Sequence, residues 1–368
     1  MSTQMLQHIL EQPEALRRIL AAGLKAEALI AAFRERKIRK VWIVGSGTSL
    51  YAAMIAARSW ERELAIDCEA TSSLEFLDET ETGGLASDVM VLAISQSGAS
   101  LILLEGIRRA NAGGAITAVV TAQPKAPIPL EAGFVIETHT GPETNLGKTK
   151  GFTTTAFAAV LLGQRLATGI VPDADTTLQA RYAELPASFA AAIETSRAVA
   201  ATWAEKFRHA DALFVVGAGS QVPAALEGAL KVLEVAKMPV VAKELEEMMH
   251  GPFNGVGPTT GIILVTDKIA QGHRLSAFVE GVKLIGTAFA SIAAAPAVAE
   301  SHGPFDLVLP RFDDAAARAI LGVAPFQILA HDLAAARGVP IDTARYPQLY
   351  PVFASKSIYQ QADERPST

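Results

Sequence analysis

The chain of 368 residues has a single cysteine, Cys68, which excludes an intrachain disulfide and any cysteine-built zinc cluster. Aromatic residues make up only 6% of it and charged residues only 19%. Its 32 Lys and Arg are outnumbered by 38 Asp and Glu, leaving a net charge of −6, and no segment is densely basic. Without a cationic face a protein holds neither nucleic-acid phosphates nor an anionic membrane surface, so neither partner is expected. The longest apolar stretch, near Ile285–Ala299, is about fifteen residues and contains Pro296, short of the roughly 18–20 that span a bilayer. The opening MSTQMLQHILEQPEALRRIL is polar and acidic where a signal peptide needs an apolar run. These absences lead us to expect a soluble, cytoplasmic protein in a reducing compartment.

What the chain has in quantity is hydrophobic residues, 50% of the total, enough for a large core and incompatible with wholesale disorder. At roughly 100–200 residues per domain the length implies two domains. Short apolar runs at 41–45, 89–95, 115–121, 211–219 and 261–267, with a weaker one at 305–310, read as strands. Helical spacing fills 49–63 and 99–112, two or three Ala-rich helices are expected over 148–207, and a last helix over Asp314–Arg337. Strands alternating with helices, and lacking a polar face, imply a parallel sheet covered on both sides. VWIVGSGTSLYAAM from Val41 also aligns with LFVVGAGSQVPAAL at an offset of 172 residues, matching Gly45 with Gly217 and Gly47 with Gly219. That spacing predicts a tandem of similar α/β domains.

Two hydroxyl-rich turns follow successive strands. GSGTS, with Gly47, Thr48 and Ser49, lets the backbone approach an anion at a helix N-terminus. A dinucleotide fingerprint would need a third glycine where Leu50 stands. SQSGAS supplies Ser95, Gln96, Ser97 and Ser100 at a second strand end, the edge where open parallel sheets bind ligands. Each turn alone is also read as a capped strand-to-helix corner; together they suggest one phosphate ester held between them. NLGKTKG at 145–151 ends like a phosphate-binding P-loop, but Pro142 occupies the required glycine position. Further on, Glu227, Lys231 and Glu234 share one face of an apolar helix, and His250 precedes Gly251-Pro252. A converging carboxylate and imidazole could move protons on carbon and oxygen, although such charges are as often a salt-bridged surface.

In order and spacing, EQP at 11–13, GSGTS, SQSG, TKGFTT at 149–154, ALEGALK, HGP at 250–252 and SKS at 355–357 make the chain resemble the tandem sugar-isomerase (SIS) domain proteins. The strongest likeness is to the isomerase half of glucosamine-6-phosphate synthase. The resemblance implies two flavodoxin-like SIS domains in tandem, each a parallel sheet flanked by helices. The expected boundaries are an N-terminal helical segment over 1–37, a first, phosphosugar-binding domain over 38–170, linking helices over 171–207, a second domain over 208–345, and a tail over 346–368 closing the site. It implies a homodimer with a shared active site, a sugar 6-phosphate substrate and no cofactor or metal. By residue, it implies Glu234 as the acid–base between C1 and C2, His250, from the partner subunit, as the ring-opening group, and Lys356 as the Schiff-base lysine. Gly47, Thr48, Ser49, Ser95, Gln96, Ser97, Ser100, Lys148 and Lys231 are the expected substrate contacts. The expected activity is aldose–ketose isomerisation through an enediol or enolamine, with burial of Glu234 favouring the base. The alternatives are deamination of glucosamine 6-phosphate, deglycation of a phosphorylated fructosamine, or non-catalytic phosphosugar sensing. Departures from the synthase pattern are Lys148 in place of a serine, Leu233 in place of a lysine, Glu246 in place of a glycine, and no expected glutaminase domain. Glu143 and Glu247 are the fall-back candidates for the base.

Overall fold

Runs of β-branched and aliphatic residues that bury every position, as in VMVLAI and ITAVVT, fit the interior of a parallel sheet. The computed structural model describes residues 3–169, 174–267, 272–302, 305–353 and 355–356; Ser357 and the rest of the expected tail lie outside them, as do residues 171–173 of the expected linking segment. The first sheet contains β1 (Lys40–Gly45), β2 (Asp67–Ser72), β3 (Val89–Ile94), β4 (Ile116–Thr121) and β5 (Phe134–Glu137), in the order β2-β1-β3-β4-β5. The second contains β6 (Ala212–Ala218), β7 (Val240–Glu244), β8 (Thr260–Thr266), β9 (Ala288–Ala293) and β10 (Leu307–Val308), in the order β7-β6-β8-β9-β10. Every pairing is parallel. The two orders are the same, so the repeat at 172 residues is a repeated fold. In each sheet the strand order reverses once, between β1 and β3 and between β6 and β8. Ligands of doubly wound folds bind at such a reversal, beyond the carboxyl ends of the strands.

The chain divides into two compact units, each discontinuous in sequence. One holds the first sheet and comprises Glu14–Thr144, Lys150–Ala183 and the chain from Tyr346; the other holds the second sheet and comprises the chain up to Pro13, Asn145–Thr149 and Glu184–Arg345. In the first-sheet unit the helix Lys150–Thr168 is buried over nearly its whole length and runs along the helix Thr48–Leu64. Gly163 lies under the Trp60 ring, with no room for a Cβ, and the indole N–H donates to Ala159 O at 2.8 Å. In the second-sheet unit Leu185–Phe207 and Val222–Val235 both pack on Ala324–Ala336, and Gly228 lies as tightly under Phe326.

The expected single last helix is two, Ala315–Leu321 and Ala324–Ala336, broken at Gly322 and restarted with Pro325 in its first turn. Among the described residues, Ala315–Ala336 is the one stretch long and apolar enough to cross a membrane, and 78% of its most apolar part is buried inside the fold. Arg318, His331 and Asp332 interrupt its apolar run.

Candidate functional site

At the end of β1 a Cβ on Gly45 would stand 2.6 Å from the Ser49 carbonyl carbon, so only glycine lets the next helix start so close to the strand. Gly47 takes φ +56° and caps that helix, its carbonyl accepting the N–H groups of Leu50 (2.9 Å) and Tyr51 (3.2 Å). Thr48 and Ser49 are half-buried in the helix's first turn. At the end of neighbouring β3, Ser95 N–H donates to Val120 O (3.1 Å), while its hydroxyl oxygen accepts Gly98 N–H (3.0 Å). Gly98 has φ +64°, and a Cβ there would meet Ala126 at 2.7 Å. The Gln96 carbonyl accepts Ala122 N–H at 3.1 Å. Ser100 is the N-cap of the helix Leu101–Ala112, yet its hydroxyl makes no capping bond. Lys356 forms an antiparallel bridge with Ser100, and Ser355 O accepts the Leu101 N–H at 3.2 Å. The first switch point thus gathers Gly47, Thr48, Ser49, Ser95, Gln96, Ser97, Ser100 and Lys356 beside two helix N-termini, whose N–H groups and dipoles favour an anion.

In the second-sheet unit the helix Val222–Val235 carries three charges one turn apart. Lys231 and Glu227 have fully buried side chains, whereas that of Glu234 is 30% exposed. Lys231 Nζ donates to Glu234 Oε2 at 2.6 Å and lies 3.3 Å from Glu227 Oε1. Burial alone would push the Lys231 pKa down, but the two carboxylates outweigh it and the net shift is upward, so the ammonium is retained. The expectation that Glu234 is buried is corrected: in the helix's last turn its carboxylate keeps contact with solvent. Against this face lies the segment Asn145–Thr149, where a Cβ on Gly147 would meet Val235 at 2.6 Å and Glu234 Oε2 at 3.8 Å. Half-buried Lys148 follows it. The segment is held by Asn145 Nδ2, which donates to Gly147 O, and by Gln327 Nε2, which donates to Thr149 O at 3.5 Å. Gln12 Nε2 donates in turn to Gln327 Oε1 at 2.7 Å, with both amides fully buried. A carboxylate that is reachable from solvent and fixed by a buried cation can accept and return a proton.

Residues 36–165 match the SIS domain family. They are a SIS domain. With the same strand order in its second sheet, the chain has the fold of two flavodoxin-like SIS domains in tandem. It is 29% identical over 357 residues to the glutamine–fructose-6-phosphate aminotransferase (isomerizing) of Pseudomonas aeruginosa, covering 93% of this chain and 57% of that protein. The chain therefore spans just over half the length of such relatives. Among solved structures, the C-terminal domain of glucosamine-fructose-6-phosphate aminotransferase from Francisella tularensis superimposes with a TM-score of 0.82 at 22% identity, over 93% of this chain and 98% of that one. Glucosamine-6-phosphate deaminase from Thermotoga maritima does so with a TM-score of 0.72 at 18% identity, over 94% and 98%. At these identities the two structures share the fold.

Within the second SIS domain, His250 closes the short helix Leu245–Met249, and its side chain is 65% exposed. Its Nδ1 lies 2.9 Å from Glu246 O and 3.6 Å from Glu246 Oε1. Glu246 is gripped by the Arg274 guanidinium through two bonds of 2.7 and 2.6 Å, and that contact holds its carboxyl below the usual carboxylate range. The unusual Glu246 thus serves as a tether between Arg274 and His250. Of the fall-back bases, Glu143 is buried and accepts the N–H groups of Lys150 (3.0 Å) and Gly151 (2.7 Å) as a helix cap, and Glu247 is exposed. The cap lies seven residues before Lys150, too far for any local capping signature, so sequence reading could not find it. The Gln12–Gln327 pair was missed for a different reason. EQP is visible as a motif, but only the fold shows what its glutamine touches.

Proposed function

We propose that this chain is a sugar-phosphate isomerase acting on a sugar 6-phosphate, amino sugars included, by moving a proton between C1 and C2 through an enediol or enolamine. The observation that carries the reading is the Glu234 carboxylate, open to solvent on one side and bonded to buried Lys231 on the other. C1 and C2 are adjacent, so one carboxylate can take the proton from one carbon and return it to the other. The hydroxyl-rich loops at the first switch point support recognition of the phosphate. Lys148, in the loop packed on the Glu234 helix, is assigned to the sugar, His250 to ring opening, and Lys356 to the open-chain carbonyl. The paired Ser355–Lys356 segment supports a tail that closes over the bound phosphosugar. A cytoplasmic homodimer, with His250 serving the partner's site, completes the proposal; sedimentation of a single 38.7 kDa species at all concentrations would refute the dimer.

The deciding experiment follows hydrogen exchange at C1 and C2 in deuterated solvent, with fructose 6-phosphate and glucosamine 6-phosphate as substrates. Glu234→Gln is expected to keep substrate affinity and to lose roughly 10²–10⁴ in exchange rate, the usual effect of removing a general base. Exchange at the wild-type rate would move the base elsewhere. Following ammonia in the same reactions separates isomerisation from deamination.

A further inference from the structure

The second sheet has a switch point of its own, and it is already filled. Val44 pairs with Ala93 in the first sheet, and its counterpart 172 residues on, Val216, pairs with Leu264 in the second. Counting forward from these pairs, Ser220 occupies the position of Thr48, and Asp267 that of Gln96. Asp267 Oδ1 accepts Ser220 N–H at 2.9 Å, and Oδ2 accepts the Ser220 hydroxyl at 2.6 Å and Arg318 Nε–H at 2.9 Å. Its side chain is 3% exposed, and that of Arg318 20%. Arg318 is fixed from behind by donating to Phe312 O (3.0 Å) and Asp313 O (3.1 Å). A backbone N–H, a hydroxyl and a guanidinium converging on one carboxylate form the donor set that an oxyanion ligand requires.

We infer that Asp267 is a built-in occupant of an oxyanion site in the second domain, and that it confines phosphate esters to the first. A phosphate at the second switch point would have to displace a carboxylate that is part of the chain and is held at high local concentration by its own strand. Where the first domain has a neutral amide, Gln96, the second has a charge that both fills the place and repels an incoming anion. The side chain at this one register position decides which of two like folds can take the phosphate. The inference rests on the proposed phosphate role of the first domain only for the total count of sites; the ligation of Asp267 stands without it.

Removing that carboxylate should open the second site. Inorganic phosphate bound per chain is measured by equilibrium dialysis for the wild type, Asp267→Ala, Ser95→Ala/Ser97→Ala and the triple variant. The expected counts are one, two, none and one. Asp267→Ala should also melt lower than the wild type without phosphate, since Arg318 loses its partner, and should regain more on phosphate addition than the wild type does. A folded Asp267→Ala that binds no more phosphate than the wild type overturns the inference, as does a wild type that already binds two. If the alanine variant does not fold, Asp267→Ser, which leaves Ser220 a hydroxyl partner, is read by the same two outcomes. A wild type that binds none would count against the first-domain reading, while a gain of one in Asp267→Ala would still support the inference.

Discussion

Lys231 holds a charge where water cannot reach it, and it does so because Glu227 and Glu234 are placed four residues before and three after it on one helix face. Removing one member of a buried pair leaves the other uncompensated, at a cost of about 3–5 kcal/mol. Lys231→Met should therefore lower the urea midpoint markedly, and it should also disturb Glu234, whose carboxylate loses the 2.6 Å bond from the ammonium. The raised Lys231 pKa means that its contribution is complete below the ordinary lysine value of 10.5 and fades as pH climbs through the folded value. Cys68 acts in the same alkaline range for another reason. Burial pushes its thiol from 9.0 up to about 12, so between those values the unfolded chain has released a proton that the folded chain keeps, and stability falls as pH rises. The native protein should resist iodoacetamide at pH 8, and Cys68→Ala should shallow the decline of the urea midpoint between pH 9 and 10.5. Rapid alkylation of the folded protein would contradict this, because only the thiolate reacts.

At the level of helices and strands, contact is set by glycine. Gly163 and Gly228 each face an aromatic ring so closely that a methyl group has no space. Gly163→Ala and Gly228→Ala should each cost about 1–3 kcal/mol, as overpacking does, although alanine is the better helix former in isolation. Thermal melts that show either variant at or above the wild-type midpoint would mean that the helices can move apart freely. The same scale shows how far the sequence could be read. The central strands β1, β3, β4, β6 and β8 are unbroken apolar runs and stand out. β2, β5 and β7 pair on one side only, so they can keep polar residues, as in DCEATS and VVAKE, and no apolar run betrays them. β9 was hidden inside the Ala-rich stretch taken for the longest apolar segment. The hydroxyl turns and the Glu227–Lys231–Glu234 spacing were legible because both are local. The partial exposure of Glu234, the cap by Glu143 and the occupation of the second switch point by Asp267 depend on residues far apart in sequence, and no local pattern encodes them.

For the molecule as a whole, neither compact unit is one continuous stretch of chain. Gln12 belongs with Gln327, and Ser355 and Lys356 belong with Ser100 and Leu101. A fragment of residues 14–183 should lack the strand-like segment that pairs with the phosphate loop, and should bind phosphate more weakly than the intact chain. Adding back a peptide spanning 346–368 should recover part of that affinity, and equal affinity without it would show that the segment is dispensable. The same feature has a consequence in time. A ribosome delivers the loop at Ser95–Ser100 well before Lys356, so at roughly 5–20 residues per second the two are separated by on the order of 10–50 s of translation. During that interval the nascent chain can fold its first sheet but not finish the rim of its own phosphate loop. A loop that leaves the ribosome ahead of its partner segment matures only when that segment arrives.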